Sequence, residues 1–148
     1  MSDKVEAVSV IKANVRPEQL YDAWLDPWKI RVWLASSLRE MGLAGDIDSI
    51  EIDAKEGGVF VMSDYREGNE ARHWGTYRVL DRPRCIEFTW ITDPADEADP
   101  SVVTLTIEPD GEGCIARVVH MIDAKWGEYA PRIAASWERM VRHAALTA

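Results

Sequence analysis

Hydrophobic and polar positions change period several times along the chain, and each change marks an element. VEAVSVIKANV (5–15) alternates apolar and polar residues with period two, the pattern of a half-buried strand. RPEQLYDAWLDP then takes a helical period, with Leu20, Ala23 and Trp24 on one face. Pro17 suits the first helical position, and Glu18 lies near the positive end of the helix dipole. Asp26 and Pro27 end this helix and open a second, as N-cap and first residue; Ile30, Trp33 and Leu34 repeat the spacing there.

Beyond the MGLAGD loop the pattern is strand-like for a long stretch. IDSIEIDA, VFVMSDY, EARHWGTYRVL, RCIEFTWIT, SVVTLTIEP and CIARVVHMID read as strands, separated by EGG, REGN, DRP, the acidic DPADEADP and DGEG, the last a hairpin signal. The tail WGEYAPRIAASWERMVRHAALTA is helical: Ile133, Trp137, Met140, Val141 and Ala144 make an apolar stripe, and Glu138 and Arg142 pair one turn apart. Pro131 is tolerated only in the first turn, which puts the helix start between Gly127 and Ala130. The predicted fold is α+β, a curved antiparallel β-sheet wrapped around a long C-terminal helix, with two short helices after the first strand.

Alternation also sorts the faces. Ile86, Phe88 and Trp90 share the inner face of one strand, and His73, Gly75, Tyr77 and Val79 that of its partner, which leaves Trp74 outside unless a bulge at Gly75 shifts the register. Phe60 and Met62 join from the preceding strand, with Asp64 at its open end; Val118, His120 and Ile122 of the last strand face the helix or their neighbours, with Met121 opposite.

Composition narrows the class. The 148 residues are 47% hydrophobic and 29% charged, the profile of one ordinary globular domain, and seven tryptophans need a large buried space. A net charge of -9 argues against nucleic acid and anionic membranes as partners. MSDKVEAVSV lacks the apolar core of a signal peptide, and no apolar run approaches the ~20 residues of a membrane helix, so a cytoplasmic location is expected. Cys85 and Cys114 are isolated thiols without metal or redox spacing. GxSxG, HExxH, Walker and GxGxxG motifs are absent, and DPADEADP lacks the glycine and terminal glutamate of a calcium loop; no cofactor and no metal are expected. Arg78, Arg82 and Arg84 are expected to pair with carboxylates such as Glu87.

Several stretches carry a resemblance that covers nearly the whole chain: LYDAWLDPWKIRVWLAS in the helix pair, GGVF opening a strand, GTYRVLDRPRCIEFTW across the central hairpin, VVHMID in the last strand and SWERMV in the final helix. With the order of elements, they resemble the helix-grip fold of the START-like, or SRPBCC, superfamily, within it the group named after the C-terminal domain of the activator of heat-shock protein 90 ATPase. The resemblance implies a single START-like domain over residues 1–148, with a hydrophobic cavity between sheet and long helix. Members bind or carry apolar small molecules, and some are polyketide cyclases or aromatases. The co-chaperone behind the group's name has an additional N-terminal domain for which these residues leave no room, so stimulation of a chaperone ATPase is not implied.

The expected cavity wall is Phe60, Met62, His73, Tyr77, Phe88 and Trp90 from the sheet, His120 from the last strand, and Ile133, Trp137 and Met140 from the helix. Polar groups on such a wall orient a ligand or act as acid and base; Tyr77, with a polar tip on an apolar body, is the first candidate to orient a ligand. The leading expectation is a module that binds a hydrophobic small molecule without defined catalysis. The alternatives are a cyclase-like enzyme using His120 or His73 with Tyr77 or Asp64, and a protein-interaction module anchored on Trp28 or Trp126. A homodimer through a sheet edge or a helix face is compatible with the pattern.

Overall fold

The computed structural model describes residues 3–148; Met1 and Ser2, where the signal-peptide reading and the domain begin, lie outside the described residues. Seven strands form one antiparallel sheet: β1 (Lys4–Ala13), β2 (Asp46–Ile52), β3 (Val59–Arg66), β4 (Asn69–Asp81), β5 (Cys85–Trp90), β6 (Ser101–Asp110) and β7 (Gly113–Asp123). Their spatial order is β1-β7-β6-β5-β4-β3-β2, so the chain meanders from β2 onwards and returns to lie beside its first strand. Two helices, α1 (Pro17–Leu25) and α2 (Pro27–Glu40), follow β1, and α3 (Ala130–Thr147) closes the chain. This is the helix-grip arrangement that the resemblance implies.

Local chemistry sets the boundaries. Pro17 occupies the first turn of α1, and the Asp26 carboxylate accepts from the backbone N–H groups of Trp28 and Lys29 to cap α2. Pro131 falls in the first turn of α3, and a 3-10 segment over Ala124–Tyr129 leads into it. The α3 stripe buries Trp137, Val141 and Ala144, and Arg142 Nε lies 3.2 Å from Glu138. Small residues decide where α3 sits: Ala7 and Ser9 of β1 are buried beneath it, and the Ser9 hydroxyl donates to the Ala134 carbonyl.

Facing strands carry the core. Ile86 and Phe88 of β5, Val103, Leu105 and Ile107 of β6, and Ala116 and Val118 of β7 lie under the helices. The arginines of the β4–β5 hairpin are paired: Arg78 with Glu87 at 3.8 Å, Arg84 with Asp81 at 3.6 Å, and Arg82 with Asp22 of α1 at 2.9 Å.

The register of β4 departs from simple alternation at one place. Tyr77 opposes Phe88, while Leu80 opposes Ile86, so three steps on β4 match two on β5. The bulge lies between Tyr77 and Val79, not at Gly75, and Leu80 replaces Val79 on the core face. Gly75 has a different role. A Cβ there would lie 2.0 Å from the Thr89 carbonyl oxygen, so only glycine allows β4 and β5 to approach this closely. Next to it, Thr76 N–H bonds the Thr89 hydroxyl at 2.9 Å.

Candidate functional site

At one end of the sheet, α2, α3 and the ends of β3, β4 and β5 leave a cleft of about 850 Å3. Met62, His73 and Trp90 border it from the sheet, His120 from β7, and Ile133, Trp137 and Met140 from α3. Leu34 and Leu38 of α2 and Trp126 and Tyr129 of the 3-10 segment extend its walls, and the loop between β5 and β6 lies along its mouth.

The remaining residues of the expected wall lie elsewhere. Phe60, Tyr77 and Phe88 face Trp24 and Trp33 of the helix pair across a gap of only about 10 Å3, too small for a ligand. Phe60 and Tyr77 are 5.2 Å apart, Phe60 meets Phe88 edge-on at 5.6 Å, and Trp24 stacks on Trp33 at 4.7 Å. Tyr77 is 2% exposed, and burial raises its phenol pKa above the usual value. Trp90 and Trp137 border both this gap and the open cleft, so they stand at the boundary between solid core and open space.

Rings are held rigidly where the two parts meet. Trp90 meets Trp137 edge-on at 4.9 Å, and His73 stacks on Trp90 at 4.9 Å. Below the cleft, His120 is 6% exposed and uses both ring nitrogens. Trp137 Nε1–H donates to His120 Nδ1 at 3.1 Å, which fixes the imidazole proton on Nε2. Nε2–H then donates to the Ser101 hydroxyl at 2.8 Å, and that hydroxyl donates to the Trp90 carbonyl at 2.8 Å.

Burial lowers the His120 pKa to about 4. His73 is lowered to about 4 as well, by burial first and then by Arg66, against the opposing pull of Asp64. Both imidazoles are therefore neutral at pH 7. Asp64 is buried and held by Arg66, with Nε 2.7 Å and Nη2 3.3 Å from its two oxygens. His120 and Asp64 thus have their polar atoms engaged by protein partners.

Sequence reasoning missed the basic side chains that border the cleft, Lys4, Arg66, Lys125, Arg132 and Arg139, with Ser37 beside Arg139. The signal for Arg139 was its position in SWERMV, one step round the helix from Ser136 and Met140. Trp28, at the start of α2, is 74% exposed, and Trp126, on the cleft wall, 50%. Among the described residues no group of three or more His, Cys, Asp or Glu side chains is placed to hold a metal, and no helix is long and apolar enough to cross a membrane.

The family model described as Activator of Hsp90 ATPase homolog 1-like protein matches residues 14–145. Protein SA2116 from Staphylococcus aureus is similar over 99% of this chain and 94% of its own, with a TM-score of 0.79 at 19% identity. Protein CV1439 from Chromobacterium violaceum is similar over 97% and 96%, with a TM-score of 0.73 at 20% identity. PFC0360w, an HSP90 activator from Plasmodium falciparum, is similar over 79% of this chain and 71% of its own, with a TM-score of 0.57 at 21% identity. At these identities the likeness is one of fold. No curated protein gives a significant match to the sequence.

Proposed function

Because the chain belongs to the Activator of Hsp90 ATPase homolog 1-like family, we propose that it uses the family fold as a binding module, holding an apolar or aromatic small molecule between the sheet and α3. The observation that carries this reading is the division of the aromatic set. Phe60, Tyr77 and Phe88 close the core, while Trp90 and Trp137 are left as the floor of an 850 Å3 cleft. That volume lies within the ~300–1,000 Å3 of small-molecule sites. Apolar ligand surface buried there contributes ~25 cal/mol per Å2. The net charge of -9 supports such an occupant over a nucleic acid or an anionic bilayer.

Binding without catalysis is favoured over a cyclase-like reaction by the state of the polar groups. His120 spends both nitrogens on Trp137 and Ser101, Asp64 is tied to Arg66, and Tyr77 lies outside the cleft. A protein-facing role has one observation in its favour, the 74% exposure of Trp28 at the start of α2.

The test is a titration with a fluorescent fatty probe, following energy transfer from the tryptophans. Saturable, near-stoichiometric transfer that a non-fluorescent apolar competitor reverses, and that Met140→Trp abolishes by filling the cleft, is the expected result. A folded sample that gives no saturable transfer overturns the reading and turns attention to Trp28 and a protein partner.

A further inference from the structure

Arg139 stands out among the charged groups of the molecule. It is half-buried on α3, at the border of the cleft, and its Nε donates to the Ser37 hydroxyl at 3.0 Å. No carboxylate lies within ion-pair distance of it among the described residues, and its two terminal amino groups have no protein acceptor there.

The nearby carboxylates are already taken. Glu40 receives both terminal amino groups of Arg142, at 2.9 and 2.7 Å, and His143 at 3.1 Å. Glu138 receives Arg142 Nε at 3.2 Å, and Asp64 is held by Arg66. Arg66 borders the same cleft and repels Arg139 electrostatically. Burial first, then repulsion from Arg142 and more weakly from Arg66, lowers the Arg139 pKa, against the attraction of Glu40 and Glu138.

A half-buried guanidinium, fixed by a serine and with no carboxylate in ion-pair contact, is arranged to take a planar anion through its free edge. Trp90, Trp137 and Met140 lie in the same cleft to receive an apolar body. The depression of about 830 Å3 at the opposite end of the sheet, lined by residues such as Arg16, Pro83, Arg84 and Glu112, has no ring to offer.

We infer that the cleft recognises an amphipathic acid, with Arg139 taking the carboxylate and the Trp90–Trp137 floor taking the aromatic or aliphatic body. This rests on the binding-module reading above and adds the chemical class of the ligand. Arg139 is fixed by Ser37 before the ligand arrives, so the fork is pre-organised. Arg66 stays with Asp64 and contributes positive potential.

The experiment compares matched acid and amide pairs, 2-naphthylacetic acid with 2-naphthylacetamide and decanoate with decanamide, by calorimetric titration. Wild-type protein is expected to bind the acids at least about tenfold more tightly than the amides, the scale of one charge-assisted bidentate contact. Arg139→Gln is expected to remove the difference in affinity between each acid and its amide. Added salt should weaken the acids alone, a readout that needs no variant and stands even if Arg139→Gln folds poorly. Equal affinity for acid and amide in wild-type protein overturns the anion inference and leaves the binding module intact. Binding of neither member of either pair overturns both.

Discussion

The Trp137 indole N–H and His120 Nδ1 are joined at 3.1 Å, so the main aromatic anchor of the long helix is locked to the last strand by a neutral histidine. The bond has a direction. It requires an unprotonated Nδ1, and the next step of the relay, to Ser101, requires the proton on Nε2.

His120→Phe keeps the ring volume but leaves the Trp137 N–H and the Ser101 hydroxyl without their partner. The variant should lose about 1–3 kcal/mol of stability, the scale of a buried unsatisfied donor. Urea unfolding of the two proteins side by side measures it; an unchanged midpoint would mean that the relay is not formed.

Acid should weaken the fold through the same residue. The His120 pKa is about 4 in the folded protein against 6.5 ordinarily, so between those values the unfolded chain binds more protons. Stability is complete above pH 6.5 and falls as the pH drops toward 4, with a loss on the order of 3 kcal/mol from this one shift. His73, also lowered to about 4, acts in the same window, whereas Glu40, held near 2 by Arg142 and His143, contributes to losses only below 4.5. Melting curves from pH 4 to pH 8 should show the slope, and His120→Phe should flatten it.

Trp137→Ala removes the ring that touches Trp24, Phe88, Trp90 and His120. A loss of roughly 3–5 kcal/mol is expected. A thermal melt like that of the wild type would show that α3 does not dock through this side chain.

Tyr77→Phe separates core from cleft. Its side chain makes ring contacts with Phe60 and Phe88 and does not border the open space. Probe affinity should therefore stay the same, with stability changed by no more than about 1 kcal/mol. A large drop in affinity would put the phenol in the ligand site.

Gly75→Ala places a methyl group where the Thr89 carbonyl oxygen already stands, 2.0 Å from the new Cβ. The two strands must part to admit it, at a cost of about 1–3 kcal/mol or more. Chemical denaturation checks this, and amide exchange should localise the loosening to Trp74–Thr76 and Thr89–Ile91.

Much of this arrangement could be read from the chain because it is periodic. The faces of α1 and α2, the α3 stripe and the inward positions of β5 and β7 follow from spacing alone, since burying one face fixes the register of everything on it. The β4 bulge was not legible for a local reason. Val79 and Leu80 are both apolar, so a period of two accepts either phase, and only pairing with Ile86 decides for Leu80.

The division into solid core and open cleft was also hidden. It depends on how far Trp24 and Trp33 reach over Phe60 and Tyr77, a matter of helix placement that the pattern along β3 and β4 does not contain. Arg139 was overlooked because a charged residue in an amphipathic helix reads as solvent-facing until its neighbours are known.

The pairing of β1 with β7 governs how the protein is made. Val8 lies opposite Val119, and β1 has no other strand beside it. On a ribosome adding ~5–20 residues per second, β1 emerges before everything it will pair with. It must wait through the synthesis of both helices and the whole meander. During that wait Val8 and Val10 stand on one side of an unpaired strand, with Lys4, Glu6 and Lys12 sharing that side. Charges so placed are the usual guard against strand-to-strand association. Completion of the sheet is thus a late, long-range event, since β1 can be paired only once β7 has been made.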